Sequence, residues 1–512
     1  MSKLNDVIEH GHPASSPSTL LLIPQPSSNP EDPLNWTTFR KYRLLALVCL
    51  ASFAGNVAAL SGQFAYPVQS KTYKVTILES SYSVSAAISG LAAGAFFFVP
   101  LQRVFGRWAV ALWSLVGSLA CAIWSAKMTS EGDYVDFIIS RLFSGLFGSV
   151  PSAFAGSMII DVVFLHHRGA AFLTYEVAAM FGAAFGPTMS GFISGTVSWT
   201  WCFWWTVPFL CVTIILVFLF AEETAFDRTQ GLPLVEIPSG WLSSRIALFA
   251  PGWKSVPKPT IHDVAKEYSI PVFIALSPIA LLCGFFTLIA FGWVLLNDIL
   301  SPTFLQTPVS EGGYGFTPIQ NSAFNFCLWF SFLVGLLIGS LVNDRLPLWI
   351  CKRFHNGIWK PEFRLYVTII TLILAPIGLG ICGAALEYHL HYMVFALGFF
   401  LVGTAIIITV PVAVNYVSEN FTNYSTQCTI VMTFYRLAWG VAIPFFADDW
   451  ISDVGIGWVY GMAAFLLIAA WCSILTLLIF GGRLRHFSFF QSMLSTEEGS
   501  KVFVDDMRVD DT

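Results

Sequence analysis

Arg141, Glu176 and Arg436 are charged side chains that lie inside long apolar stretches of this sequence. An arginine in hydrocarbon costs at least about 2.5 kcal/mol, so each of these groups should face a cavity or a polar partner. Burial favours the uncharged form of a carboxyl group, which is the property that a proton carrier needs. Glu176 is therefore a candidate proton carrier. The alternative is that it pairs with a neighbour or reaches the membrane interface.

Arg141 belongs to a stripe of small residues. Arg141, Gly145, Gly148, Ser152 and Gly156 follow steps of four, three, four and four, so they share one face of a helix. Small residues allow close helix packing in a membrane. We predict that Arg141 tunes the proton carrier or holds substrate; the alternative is a structural arginine that pairs with backbone carbonyl groups.

A second group of small residues follows Glu176. Gly182, Gly186, Pro187 and Gly191 predict a glycine-lined helix that is bent by proline. Helix packing alone explains the glycines, but it does not explain a carboxylate beside them.

Further polar side chains are candidates for a substrate cavity. Asn56 and Gln63 are seven residues apart and share a face of the first apolar stretch, and Tyr435 precedes Arg436. We predict that these four side chains line the cavity. Hydrogen bonds to a neighbouring helix are the alternative for Asn56 and Gln63.

The composition requires a membrane setting for these residues. Of the 512 residues, 56% are hydrophobic and only 11% are charged, and mean hydropathy is +0.70. The net charge of -5 gives no reason to expect a nucleic-acid partner. None of the ten cysteines forms a C-x-x-C pair, so neither a disulfide framework nor a metal site is expected.

The sequence gives no support for an enzyme or a cofactor. Gly378, Gly380 and Gly383 match a dinucleotide fingerprint, but they lie in an apolar span, follow no strand and lack the acidic residue further on. Nucleotide-binding and hydrolase motifs are missing from the sequence. We therefore predict a protein that is not an enzyme and has no cofactor.

The apolar stretches predict an all-α membrane protein with twelve spans of about 20 residues each. We place them near 44–66, 83–104, 108–128, 135–160, 170–195, 201–221, 270–294, 320–342, 365–386, 391–414, 427–447 and 456–480. The segment 294–318 could be a loop or a broken helix end. Asp298, Asp448 and Asp449 then lie near outer span ends, where we expect them to be solvated.

The positive charges indicate the orientation. Lys and Arg near span ends fall almost entirely on the side of the two termini, with Lys71, Lys74 and Lys127 as the exceptions. Since these residues favour the cytoplasm, we predict that both termini are cytosolic.

The polar stretch 222–269 divides the spans into two sets of six. The predicted units are a cytosolic tail 1–42, an N-terminal bundle 43–221, a cytosolic central loop 222–269, a C-terminal bundle 270–482 and a cytosolic tail 483–512. Gly339 to Arg345 echoes Gly94 to Arg107, which suggests an internal repeat with a binding site between the halves.

Several segments, taken in order, resemble motifs of the major facilitator superfamily, and within it the fungal twelve-span drug:proton antiporters. The segments are Asn29 to Trp36, Gly94 to Arg107 with Pro100 and Gly106, Arg141 to Gly156, Phe164 to Gly169, Gly182 to Gly191, Glu222 to Thr224, Pro361 to Leu365 and Phe434 to Leu437. The resemblance implies two pseudo-symmetric six-helix bundles, alternating access and proton-coupled export. It also implies a proton or substrate role for Arg141 and a tight helix contact at Gly182, Gly186, Pro187 and Gly191.

The sequence departs from the family pattern at several positions. Arg103 stands where the loop motif usually has an acidic residue, and Trp108 where it has a second basic residue after Arg107. The ion pair that normally holds this loop against a helix end is therefore in question. Thr200 replaces a usual arginine, and Ser190 replaces one glycine of the antiporter motif.

The favoured function is proton-coupled efflux of small organic molecules such as drugs, toxins or secondary metabolites. The expected partners are a small-molecule substrate, protons and the lipid bilayer, and we expect a monomer in the plasma membrane, with a vacuolar membrane as the alternative. A proton-coupled importer of a nutrient or organic cation on the same fold is the second hypothesis. A transceptor or scaffold without flux is the third.

Overall fold

The computed structural model describes residues 27–224, 226–227, 232–233, 240–250, 261–355, 359–421 and 424–485. Most of both predicted tails and part of the central loop lie outside this range. The side chains of residues 165–169 and of Arg103 also lie outside the described set.

The described chain is almost entirely helical, and long apolar runs account for most of the helices. The α-helices are α1 Thr38–Leu60, α2 Tyr66–Tyr73, α3 Ile77–Phe105, α4 Arg107–Lys127, α5 Tyr134–Gly148, α6 Val150–Val162, α7 Leu165–Ser194, α8 Trp201–Trp204, α9 Thr206–Phe220, α10 Trp241–Phe249, α11 Ile261–Ala275, α12 Pro278–Gln306, α13 Pro318–Val342, α14 Arg345–Phe354, α15 Ile369–Glu387, α16 Tyr392–Asn420, α17 Ser425–Val454 and α18 Ile456–Leu484. Short 3-10 helices cover Pro33–Asn35, Gln63–Ala65, Glu131–Asp133, Val309–Glu311 and Pro361–Thr368. Strands β1 Phe226–Asp227 and β2 Leu232–Pro233 pair antiparallel.

Eleven helices or helix runs are long and apolar enough to cross a membrane, and a bent helix supplies the twelfth. That helix is α17, whose parts Ser425–Ile443 and Phe445–Val454 meet at 49°. The sequence has Pro444 at this break, and proline lacks the N–H that would continue the helical hydrogen bonds. The twelve-span, all-α prediction is confirmed.

Two predicted span boundaries were wrong. The seventh span is α12, Pro278–Gln306, so the first part of the segment 294–318, which could have been a loop or a broken helix end, continues this helix, and α11 before it is separate. Asn297 is accommodated inside this helix because its Oδ1 accepts a hydrogen bond from Tyr460 at 2.5 Å. The first span is not one helix: α1 ends at Leu60 and α2 begins at Tyr66, with Gly62 at a φ of +91° that glycine adopts readily.

The transmembrane helices form two halves, one ending with α9 and one beginning with α12. They meet along two seams, where α7 packs against α13 and α3 packs against α17. We call the end of the helices that carries the segment after Ala221 the linker face, and the other end the opposite face.

Candidate functional site

The central feature is an ion pair between the two halves. Arg436 on α17 donates through Nη1 to Glu176 Oε2 on α7 at 3.0 Å. The two residues are only 7% and 4% exposed, so the pair is shielded from water. Glu176 lies six residues into the apolar part of α7, roughly 9 Å from its linker-face end. The structure therefore brings together two of the predicted site residues, one from each half.

The surroundings of this pair leave Arg436 with spare donor capacity. Its guanidinium lies over the Phe291 ring at 5.3 Å, a cation-π contact with α12. Its Nε is buried and has no hydrogen-bond partner among the described residues. A buried arginine with a free donor can bind a polar group of a substrate.

Arg141 lies elsewhere, at the end of α1. It donates to the carbonyl oxygens of Ala58 at 3.3 Å and Ser61 at 2.8 Å, and also to that of Ala59. Its guanidinium lies over the Phe203 ring at 4.9 Å. No carboxylate of the described residues forms an ion pair with it. These contacts match the alternative of a structural arginine, since unpaired carbonyls and the negative dipole end of α1 both attract a cation.

The predicted cavity residues have different partners. Asn56 Nδ2 donates to Ser52 O at 2.9 Å and Ser152 Oγ at 3.2 Å, within the N-terminal half. The Tyr435 hydroxyl donates to Ala275 O at 2.8 Å, within the C-terminal half. These contacts are hydrogen bonds to neighbouring helices and give a cavity role for Asn56 and Tyr435 no support.

Gln63 has a partner in the other half. Its Nε2 donates to the backbone oxygen of Asp298 on α12 at 2.8 Å and to Asp298 Oδ2 at 3.2 Å. The expectation that Asp298 is solvated was wrong, because the residue is within α12, is half-buried and has a buried Oδ1. The error followed from placing the end of the seventh span too early.

The glycine motif of α7 makes close contacts with α1 and α13. A side chain at Gly182 would meet Phe53 O at 2.5 Å, and one at Gly186 would meet Val57 O at 2.8 Å. A side chain at Gly191 would meet Pro318 O at 2.9 Å in the other half. Pro187 lies inside α7. The motif therefore places α7 between α1 and the C-terminal half.

Ser190, a departure from the motif, stabilises the break in the first span. Its Oγ accepts a hydrogen bond from Gly62 N at 2.6 Å and donates to Gly186 O at 2.7 Å. The serine pairs a backbone N–H that a glycine at position 190 would leave without this partner.

The loop motif is held at the linker face in spite of its departures. Arg107 forms an ion pair with Asp161 at the end of α6, and Trp108 Nε1 donates to Glu222 O at 2.7 Å. Gly106 has a φ of +87°, which favours glycine between α3 and α4. Gly94 packs against Leu146 O, and Pro100 lies inside α3. A different set of partners thus provides the ion pair that was in question.

The C-terminal half holds its equivalent loop with the charges exchanged. Here Asp344 pairs with Arg364 at 3.6 Å, while Arg345 is exposed. The repeat between Gly94 to Arg107 and Gly339 to Arg345 is therefore similar in position but different in contacts.

Sequence reasoning missed several residues that join the halves. Asn325 on α13 donates to Thr188 Oγ1 on α7 at 2.8 Å, and it is buried. An aromatic cluster crosses the same seam: Trp329 of α13 has Phe181 of α7 edge-on at a ring distance of 5.5 Å and Phe185 of α7 stacked at 5.4 Å. The only signal for these residues in the sequence was that they lie in predicted spans, with Phe181, Phe185 and Thr188 close to the glycine motif.

A cavity of about 260 Å³ lies at the opposite face of the C-terminal half. None of the predicted site residues lines it. Among the described residues there is no group of three His, Cys, Asp or Glu side chains that could hold a metal ion.

Comparisons with known proteins agree over most of the chain. The sequence model described as Major Facilitator Superfamily matches residues 44–443. The chain is 27% identical to "Efflux pump radE" of Floropilus chiversii, with 91% of this chain and 85% of that protein covered. It is 26% identical to "MFS-type transporter penM" of Penicillium rubens, with 90% and 89% covered.

Two solved structures share the fold at low identity. The proton:xylose symporter XylE has a TM-score of 0.60 at 13% identity, with 87% of this chain and 96% of that chain covered. The human organic anion transporter MFSD10 has a TM-score of 0.53 at 16% identity, with 85% and 99% covered.

Proposed function

Since this chain belongs to the Major Facilitator Superfamily and is a multi-pass membrane transporter, we propose that it exports small organic molecules in exchange for protons. The observation that carries this proposal is the buried Glu176–Arg436 pair between the halves. A carboxylate buried at the contact between two moving halves is where a proton can change the balance between them.

Protonation of Glu176 would remove the charge that attracts Arg436. The ionised pair holds α7 and α17 together, whereas a neutral Glu176 leaves the arginine charge buried and unpaired. Removal of one partner of a buried pair costs about 3–5 kcal/mol, enough to shift an equilibrium between two conformations of the transporter. Glu176 is thus the proposed proton carrier, and Arg436 the group that senses its charge.

The direction and substrate class rest on two further observations. A relative named as an efflux pump supports export. The half-buried aromatic cluster of Phe181, Phe185 and Trp329 at the seam suits apolar organic molecules. We further propose that the linker face is cytosolic and that the protein acts as a monomer in the plasma membrane.

The test uses the full chain in lipid vesicles with an imposed pH gradient. A growth screen against toxic compounds, in cells with and without the protein, selects the substrate, with rhodamine 6G as the first probe. We expect the pH gradient to drive accumulation by the native protein, and Glu176→Gln to abolish this accumulation while substrate exchange without a gradient persists. Glu131→Gln, at an exposed ion pair with Lys74, is the matched control and should behave as the native protein.

The double variant Glu176→Gln with Arg436→Gln separates a coupling role from a structural one. The double variant has no unpaired buried charge. If the pair only stabilised the structure, proton-driven accumulation should therefore recover in the double variant. Our proposal predicts that it does not. Native transport that ignores the pH gradient would contradict proton coupling, and net uptake into intact cells would select the importer.

A further inference from the structure

A second polar contact joins the halves at a different depth from the Glu176–Arg436 pair. It is the contact of Gln63 with Asp298. Asp298 lies eight residues before the end of α12, about 12 Å from the opposite-face end of that helix. Gln63 comes directly after the break at Gly62. This contact therefore joins the halves on the opposite-face side.

Each side chain of this contact has an acceptor without a donor. Gln63 Oε1 and Asp298 Oδ1 are both buried and have no hydrogen-bond partner among the described residues. The orientation of the Gln63 amide is fixed, because a backbone carbonyl oxygen only accepts and must face Nε2. An ionised carboxylate also only accepts, so it cannot pair with Oε1.

A proton on Asp298 supplies the missing donor. The protonated carboxyl group has one O–H, which can donate to Gln63 Oε1 while Gln63 Nε2 donates to the other carboxyl oxygen. Such a reciprocal acid–amide pair leaves neither side chain with an unpaired acceptor. The ionised form instead buries a charge that has a single side-chain donor, which is unfavourable unless water reaches it.

We propose that Asp298 and Gln63 form a proton-sensitive gate at the opposite face, closed when Asp298 is protonated and released when it is ionised. The proton comes from water at the opposite face and returns there or passes inward. This inference rests on the proposed proton-coupled function. It assigns to Asp298 a step separate from that of Glu176.

Few other charged groups act on this gate. Tyr66, from α2, is buried and interacts electrostatically with both Asp298 and Arg141, and its hydroxyl has no hydrogen-bond partner in the described part of the chain. From α18, Tyr460 bonds Asn297, the residue before Asp298. Among these residues Asp298 is the acidic group. The one cation is Arg141, which interacts with Tyr66.

The remaining described charged groups on helices packed against α12 lie further along them, and the charged side chains of α11 lie outside the described set. On α17, Arg436 contacts Phe291 and Asp449 is exposed near the opposite-face end, while the side chain of Asp448 lies outside the described set. On α3, Glu79 caps its own helix. Glu419 of α16, Arg483 of α18 and Arg485, directly after α18, lie at the linker-face end.

One face of α12 carries a residue that touches each inter-half contact. Phe291, under Arg436, and Asp298 are seven residues apart, which is close to two turns and about 10 Å along the helix. A movement of α12 therefore changes both contacts together. This geometry would let a proton at the opposite-face gate affect the ion pair nearer the linker face.

The experiment measures the opposite-face distance without transport. Spin labels are placed by Val197→Cys in the N-terminal half and Val309→Cys in the C-terminal half, which are 54% and 72% exposed. The exposed Cys472 is replaced by Ser in every sample. The full chain in lipid nanodiscs is measured by pulsed electron spin resonance at several values of pH.

We expect the native distance to lengthen as pH rises. Asp298→Asn should keep the short distance at every pH, because an asparagine amide can form both bonds of the reciprocal pair. Gln63→Leu, which cannot pair with either form, should give the long distance throughout. Asp453→Asn, at an exposed aspartate on α17, is the matched control and should keep the native response.

A pH response that survives Asp298→Asn, or a native distance that does not respond to pH, would overturn the gate. Glu176→Gln should retain the response, since it changes the other contact. Because no flux is measured, the two proposals can fail separately. If transport does not depend on a pH gradient but the distance between the labels still responds to pH, only the proposed proton coupling is contradicted.

Discussion

Arg141 is a residue whose charge stabilises the backbone in this structure. Its guanidinium binds three carbonyl oxygens at the end of α1, and it is buried. We expect Arg141→Ala to lower the free energy of unfolding by on the order of 3 kcal/mol, because the carbonyls lose their donors in a buried site. Arg141→Lys should fall between, since an ammonium group lacks the planar fork. Thermal unfolding of purified protein in detergent measures both.

The matched control for Arg141 is Arg483→Ala. Arg483 is exposed at the end of α18, where its guanidinium lies over the Phe480 ring at 5.9 Å. This change should alter the free energy of unfolding by less than about 0.5 kcal/mol. Equal melting temperatures for Arg141→Ala and Arg483→Ala would contradict the structural role.

At the residue scale, the sequence could identify unusual side chains but not their partners. Glu176 and Arg436 stood out because charge is rare in apolar spans, and they do meet. Arg141 stood out for the same reason, yet it binds carbonyls that become unpaired only because α1 ends early. Asp298 was set aside because the predicted span ended before it. Partner choice depends on three-dimensional packing, which a single sequence does not contain.

At the element scale, the break in the first span depends on a contact with α7. Ser190 Oγ accepts from Gly62 N at 2.6 Å. We expect Ser190→Ala to destabilise the protein by about 1–2 kcal/mol, since it leaves a buried N–H without a partner. Hydrogen exchange of residues 60–66, measured by mass spectrometry, should rise along with the lower melting temperature.

Ser194→Ala is the control on the same helix. Ser194 Oγ donates only to Gly191 O of its own helix, at 3.3 Å, and its loss should leave exchange of residues 60–66 unchanged. Unaltered exchange in Ser190→Ala as well would show that the serine does not hold the break.

The elements were predictable to the extent that hydropathy determines them. Twelve apolar runs gave the twelve spans, because hydrocarbon thickness sets their length. The breaks were not predictable, since the run with Gly62 is as apolar as unbroken ones and prolines such as Pro100 and Pro187 lie inside continuous helices. Glycine and proline are common in membrane helices, and neighbouring helices decide where a helix ends.

At the scale of the whole molecule, polar contacts join the halves at two depths. The Glu176–Arg436 pair lies nearer the linker face, and the Gln63–Asp298 contact lies nearer the opposite face. Alternating access requires that the halves separate at one face while they stay together at the other. Two contacts that respond separately to protons would allow this order.

Gly191 tests whether the opposite face must close in each cycle. It packs against Ser322 and Pro318 of the other half, so Gly191→Val should wedge this seam open. We expect a longer distance between labels at positions 197 and 309 at every pH, together with slower transport, because the closed state is disfavoured. Gly380→Val is the matched control: nothing lies within 4 Å of a side chain there, so native distance and rate should persist. If Gly191→Val keeps the native distance and transport rate, the added side chain does not disfavour the closed state, and closure of this seam does not limit turnover.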